Sequence, residues 1–182
     1  TALFLSRLHP GKGLLILAEA WARVNPKGWK MRVVGPDSYG HKAEVVRKLN
    51  ELGIADRWEF RDMVDDQEKW QEYANADLLV HPSVSENFGI TIAEGLASGL
   101  PVICTKGAPW QEVEGPSRSG WWIDQGADAV GPQLGGTADT IGQALGTKID
   151  EKHLGRLAEI GGELVQLCEH IVDAVGTERD TH

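Results

Sequence analysis

The sequence predicts an α/β fold, a Rossmann-like doubly wound parallel sheet flanked by helices. Short apolar runs alternate about five times with segments in which apolar residues recur at helical spacing, and most connections are a few residues long. The 182 residues are enough for one well-buried domain and few for two. We therefore expect ligands at the carboxyl edge of the sheet, in the crevice where the strand order reverses.

Each element follows from its local pattern. Strands are predicted where a short apolar run is closed by turn residues, and helices where the 3.6-residue period holds. Asp65 or Asp66 is suited to cap the third helix, and residues 125–136, rich in Gly and Pro, predict a loop. The predicted strands are 2–5, 30–35, 57–60, 78–80, 101–104 and 120–124, and the predicted helices are 14–24, 41–52, 67–75, 90–97, 138–145 and 151–175.

The strongest functional signal lies between the fourth and fifth predicted strands. The loop 84–89 should lie at the carboxyl edge, where Gly89 lets the backbone approach a ligand closely. The helix that begins near Ile90 should point its unbonded N–H groups and positive dipole end into the crevice, which favours an anion. Glu86 and Glu94 frame this helix start, and ionised carboxylates only accept hydrogen bonds, so hydroxyl groups are their expected partners. A nucleotide sugar carries both phosphate and many hydroxyls.

A second anion site is predicted after the first strand. Gly11 and Gly13 flank Lys12 just before a helix, and Arg7 adds a further cation. The formal net charge of the chain is −9, so this is a local basic spot in an acidic protein. His9 lies between the two cations, and the sequence leaves open whether it touches phosphate or is an exposed loop residue.

These motifs resemble those of a known family. The run PS-x-S-E-N-F-G-I-x-I-A-E-x-L-A-x-G-x-P-V-I, which contains Glu86 and Glu94, is similar to the Glu-x7-Glu signature of family 4 ("group 1") retaining glycosyltransferases of the GT-B fold. Ser6-Arg-Leu with Lys12-Gly13 resembles the S/G-R-L-x-x-x-K-G motif of the same family. The resemblance covers residues 2–124 well and the rest weakly.

The resemblance implies a role for each motif residue. Arg7 and Lys12 are expected to clamp the diphosphate, Glu86 to contact the donor sugar and Glu94 the ribose hydroxyls. Relatives carry Phe-x-Gly in the loop that reads the nucleobase, whereas this chain has Asp62 at the glycine position. The catalytic residues are thus expected to be Arg7, Lys12 and Glu86, and the donor-binding residues Glu94, Asn87, Phe88, Gly89, Ile90, Gly35, Arg61, Met63 and Ser83.

The family resemblance also implies the domain organisation and the partners. Residues 1–175 are expected to form the donor-binding domain and 176–182 a disordered tail, with the N-terminal acceptor domain absent from this chain. The expected ligand is a nucleotide-diphosphate sugar that acts as donor substrate, without a metal or other cofactor. Membrane association is expected only through the missing domain.

Composition narrows the alternatives. The acidic balance argues against nucleic-acid binding, and no apolar run approaches the roughly 20 residues of a membrane span. Cys104 and Cys168 are expected to be core residues of a cytoplasmic protein. No zinc-ligand spacing, Walker loop, G-x-S-x-G elbow or G-x-G-x-x-G turn occurs.

Three interpretations remain open from the sequence. The chain is the donor domain of a glycosyltransferase, a non-catalytic Rossmann-like binding or regulatory module, or an inactive nucleotide-sugar-binding remnant. Trp110, Trp121 and Trp122 are open to either core packing or sugar stacking. Trp121 and Trp122 are adjacent in a strand and should point to opposite faces.

Overall fold

The computed structural model describes residues 1–114 and 119–134 of the 182-residue chain. Within these ranges, six parallel strands form one sheet in the order β3-β2-β1-β4-β5-β6. The predicted fold class is therefore confirmed. The strands are β1 (Ala2–Leu5), β2 (Met31–Val34), β3 (Trp58–Arg61), β4 (Leu78–His81), β5 (Val102–Thr105) and β6 (Gly120–Ile123), and the helices are α1 (Leu14–Val24), α2 (His41–Glu51), α3 (Asp66–Ala74) and α4 (Ile90–Ala97).

The strand order has a single reversal point. The chain moves from β1 outward to β2 and β3, returns to the centre as β4 and continues to β5 and β6. Strands β1 and β4 pair in parallel, with Ala2 opposite Leu78 and Leu3 opposite Leu79. The loops after these two strands therefore meet at the carboxyl edge, where doubly wound sheets bind ligands.

Two apolar layers cover the sheet. Helices α1 and α2 bury residues such as Trp21 and Leu49 on one face, whereas α3 and α4 bury Tyr73 and Ile92 on the other. Trp121 packs against the first layer and Trp122 against the second, which confirms their predicted opposite directions. The buried pattern of β4, apolar on both faces, is typical of a central parallel strand.

The predicted boundaries of these ten elements hold to within one residue. Asp65 caps α3 through a capping box, because its side chain accepts from the Glu68 amide while the Glu68 carboxylate accepts from the Asp65 amide. The predicted loop at 125–136 is wrong, since residues 127–134 are helical. The predicted helices 138–145 and 151–175, Cys168 and the tail 176–182 lie outside the described residues.

Candidate functional site

The loops that follow β1 and β4 are joined through their backbones. The Val84 amide donates to the Gly11 carbonyl at 2.9 Å, and the Ser83 hydroxyl donates to the same oxygen at 3.1 Å. Gly13, at φ 77°, lies so near that a β-carbon there would be 2.0 Å from the Pro82 carbonyl oxygen. Ser83, predicted as a ligand contact, thus braces the floor of the crevice at the reversal of strand order.

Lys12 and Glu86, which were predicted from separate loops, form an ion pair across this floor. Their side chains are 17% and 14% exposed. The Nε2 atom of His81, at the end of β4, lies 2.9 Å from the same Glu86 oxygen, Oε1. The hydrogen bond from His81, assisted by Lys12, lowers the pKa of Glu86 to about 2, although burial opposes the shift. Glu86 is therefore anionic, and no described residue forms a hydrogen bond or ion pair with its Oε2.

His81 belongs to the site through its hydrogen bond with Glu86. Its Nδ1 atom is buried and has no partner within residues 1–114 and 119–134. A proton on Nδ1 would be unsatisfied there, so the geometry favours a proton on Nε2, which donates to Glu86. The sequence signal is the position of His81 at the strand end, next to Pro82.

Glu94 lies on α4 and is held from the neighbouring helix α3. Lys69 Nζ lies 2.7 Å from its Oε1, and the Tyr73 hydroxyl donates to its Oε2 at 2.8 Å. Burial, and secondarily the charge of Glu94, raise the pKa of Tyr73, so its hydroxyl stays protonated. Sequence reasoning did not identify Lys69 or Tyr73 as residues of the site.

The start of α4 has the unbonded backbone N–H groups that the sequence predicted. Gly89 caps the helix at φ 83°, a conformation that favours glycine. In the described part of the chain, the backbone amides of Gly89, Ile90 and Thr91 donate to no acceptor. The Asn87 side chain is exposed nearby. These amides carry the positive end of the helix dipole toward the crevice.

The loop that follows β5 braces the loop 84–89. The Glu86 amide donates to the Gly107 carbonyl at 2.8 Å, and the Trp110 indole N–H donates to the Phe88 carbonyl. Trp110 is 8% exposed, and its ring packs against that of Phe88 with centroids 5.4 Å apart. Trp110 is thus a packing residue that holds the loop 84–89. Trp122 similarly donates to the Ala108 carbonyl at 2.7 Å.

The residues expected near the nucleobase lie at the ends of β2 and β3. Position 35 requires glycine because the backbone of Ser6 lies close to it: a β-carbon there would be 2.1 Å from the Ser6 carbonyl oxygen. Met63 is 76% exposed, whereas Arg61 forms an ion pair with the buried Glu72. Asp62, at the position where the family resemblance leads us to expect glycine, is exposed.

Arg7 and His9 lie on the loop after β1. Arg7 is exposed and has no ion-pair partner among residues 1–114 and 119–134. His9 accepts a hydrogen bond from the Gly11 amide at 3.1 Å through Nδ1, and its ring meets Tyr39 edge-on. His9 therefore stabilises the turn that presents Lys12.

The described residues contain no group of three or more His, Cys, Asp or Glu side chains that could hold a metal ion. Cys104 is buried in the core as predicted, and burial raises the pKa of its thiol to about 12. Among the helices of the described ranges, none is long and apolar enough to cross a membrane.

Comparison with known proteins shows the family of the chain. The model of the glycosyl transferases group 1 family matches residues 1–132. The chain belongs to the group 1 glycosyltransferases. A D-inositol 3-phosphate glycosyltransferase of Mycolicibacterium smegmatis is 33% identical over 147 residues, covering 78% of this chain and 32% of the relative. One from Streptomyces scabiei is 35% identical over 151 residues, covering 76% and 33%. The chain thus spans about a third of the length of these curated relatives.

Solved structures of other proteins share the fold of this group 1 glycosyltransferase chain. Anabaena HepE in complex with UDP aligns with a TM-score of 0.74 and 24% identity, covering 97% of this chain and 48% of HepE. The C-terminal domain of a group 1 glycosyl transferase from Francisella tularensis aligns with a TM-score of 0.66 and 22% identity, covering 91% of this chain and 84% of that domain.

Proposed function

We propose that this chain binds the nucleotide-diphosphate sugar donor of a retaining glycosyltransferase. One observation carries the proposal: the cation of Lys12, the anion of Glu86 and the unbonded amides at Gly89 and Ile90 converge where the strand order reverses. Membership of the group 1 family supports it. HepE, a structural neighbour, has been solved with UDP and with UDP-glucose, and we extend that ligand class to this chain.

The negative charge that develops on the leaving group indicates which residues would assist the reaction. When the bond between the anomeric carbon and the phosphate oxygen breaks, its electron pair leaves with the diphosphate, which gains negative charge. Arg7, Lys12 and the α4 amides would stabilise that charge, each contributing on the order of 2–4 kcal/mol. Lys12 can reach the diphosphate while it still neutralises Glu86, because an ammonium group has three donors.

The two carboxylates would position the donor. Glu86, held through Oε1, presents Oε2 to the sugar hydroxyls, and Glu94 would bind the ribose. The acceptor hydroxyl would attack on the face that the diphosphate leaves, passing its proton to a phosphate oxygen, so configuration is retained without a protein nucleophile. Gly35, Arg61 and Met63 would face the base. A second domain would bind the acceptor.

Titration with UDP, GDP and ADP tests donor binding, with the midpoint of thermal unfolding as the readout. A ligand at 100 times its Kd adds about 2.7 kcal/mol of stability, which raises the midpoint by several degrees in a domain of this size. Lys12→Ala should abolish the shift, whereas Lys48→Ala, which removes a lysine paired with Glu19 on α1, should preserve it. Absence of a shift with all three nucleotides would contradict the proposal.

Product analysis distinguishes transfer from mere binding. A retaining enzyme gives a product with the anomeric configuration of the donor, which proton NMR couplings report, and transfer should persist in EDTA if no metal takes part. Inversion would contradict the assigned stereochemistry. Tight nucleotide binding without transfer, in the presence of the acceptor-binding part, would favour the non-catalytic module.

A further inference from the structure

Glu94 has a specific pair of supports on α3. Lys69 and Tyr73 are one helical turn apart, so their side chains project from the same face of α3 toward α4. Each contacts a different carboxylate oxygen, Lys69 at 2.7 Å from Oε1 and Tyr73 at 2.8 Å from Oε2. The carboxylate is consequently held at both ends and cannot rotate freely.

The burial of the three groups indicates that this arrangement is rigid. The Tyr73 residue is fully buried, and the side chains of Glu94 and Lys69 are 15% and 23% exposed. The only other acceptor near the Tyr73 hydroxyl among the described residues is the Thr91 carbonyl, at a longer 3.4 Å. Its proton is therefore directed to Glu94, and the raised pKa of Tyr73 keeps that proton in place.

The remaining hydrogen-bonding capacity of Glu94 matches a vicinal diol. An ionised carboxylate has about four lone-pair sites, two on each oxygen. Lys69 and Tyr73 occupy one on each oxygen, which leaves one on each for a ligand. Two parallel acceptors are suited to the adjacent 2′- and 3′-hydroxyls of a ribose.

We propose that Lys69 and Tyr73 are positioning residues that orient Glu94 toward both ribose hydroxyls and so make the site select ribonucleotides over nucleotides that lack these hydroxyls. The inference rests on the proposed function, since it assumes a nucleotide donor. It assigns to α3 a role in donor specificity, although neither side chain contacts the reacting atoms.

Binding of paired nucleotides tests the inference. The diphosphates of uridine, guanosine and adenosine and their 2′,3′-dideoxy counterparts are titrated calorimetrically into the wild-type chain. The nucleotide that binds should be preferred over its dideoxy form by roughly tenfold or more, because hydrogen bonds to a charged group are lost. In Tyr73→Phe and Lys69→Met this ratio should fall to about threefold or less.

Two matched controls separate positioning from general damage. Tyr39→Phe alters the other tyrosine of the chain, which is 93% exposed, and Lys48→Met alters a lysine in a comparable ion pair with Glu19. Both should keep the wild-type ratio. If Tyr73 or Lys69 had a purely structural role, its substitution would weaken binding of the ribonucleotide and of its dideoxy form equally. The ratio of the two affinities would then stay unchanged, which would overturn the inference. If no nucleotide binds the folded wild-type chain, the proposed function fails and the inference fails with it.

Discussion

At the scale of single residues, most charged side chains at the crevice form ion pairs. Lys12 and Glu86 are both mostly buried, and an isolated charge at that depth would be costly. Their pairing, with His81 as a third partner, offsets part of this cost. Arg7 is instead exposed, so water solvates its charge. Among the described residues, Lys12 and Glu86 thus form a preformed ion pair, and the exposed cation of Arg7 is available to the proposed diphosphate ligand.

Acid titration should reveal the Glu86 interactions. Its pKa of about 2 in the folded state lies below the ordinary 4.5, so its ionised form stabilises the fold above about pH 4.5, and this stabilisation is lost as the pH falls toward 2. Glu86→Gln should lower the free energy of unfolding at pH 7 by about 1–3 kcal/mol, with the deficit shrinking as the pH is lowered from 4.5. Urea unfolding across pH 2.5–7 measures both the loss of stability at pH 7 and its decrease at lower pH.

The control for this titration is Glu51→Gln, which removes an exposed carboxylate 3.8 Å from Arg47. Exposed pairs contribute little, so this variant should stay within about 0.5 kcal/mol of wild type. A deficit of Glu86→Gln that is constant across the pH range would contradict the assigned interactions.

Some site residues could be predicted from the sequence and others could not. Lys12 lies between two glycines and Glu86 lies in a loop that ends in a glycine before a helix, and the sequence displays both local motifs directly. Lys69 and Tyr73 reach Glu94 from 25 and 21 residues away, and that contact exists only because α3 packs beside α4. No short-range pattern marks such a pair.

At the scale of elements, glycines at helix starts do two different things. Gly13 and Gly40 precede α1 and α2 with nearly the same backbone, φ 77° and 72°. A β-carbon at Gly13 would be 2.0 Å from the Pro82 carbonyl oxygen, whereas at Gly40 nothing lies within 4 Å. Gly13 therefore allows the approach of two loops, and Gly40 supplies only the left-handed conformation.

These two glycines provide a matched pair of substitutions. Gly40→Ala should cost about 1 kcal/mol of stability through its left-handed conformation alone. Gly13→Ala adds a backbone clash and should cost more than about 3 kcal/mol, with loss of nucleotide binding because the crevice floor shifts. Urea unfolding of both variants checks the difference. Equal costs would show that the loop contact at Pro82 is not tight.

The segment 127–134 shows why one element was predicted wrongly. Gly131 and Pro132 lower helix propensity, which favoured a loop. In the fold, Ala127, Val130 and Leu134 are buried in the same apolar layer as α1. A β-carbon at Gly131 would lie 3.5 Å from Val24, so the two helices approach closely. Tertiary packing therefore outweighs local propensity, and the sequence alone does not contain the partner surface.

At the scale of the whole molecule, topology creates the site. The alternation of strands and helices predicted a doubly wound sheet, but it did not determine which strands are neighbours. The pairing of β1 with β4 brings together residues 74 positions apart, Lys12 and Glu86. This convergence concentrates positive groups at one edge of a chain whose net charge is −9. We expect this edge to attract a diphosphate in preference to the rest of the surface.

A crystal structure of the chain with the nucleoside diphosphate that binds it, UDP, GDP or ADP, would show whether the donor occupies the crevice between the β1 and β4 loops. We expect diphosphate oxygens about 2.7–3.1 Å from Lys12 Nζ and from the Ile90 amide, with the ribose hydroxyls on Glu94. A nucleotide bound away from the junction of the β1 and β4 loops, or one whose ribose occupies the crevice floor while its diphosphate faces solvent, would contradict the proposed binding mode.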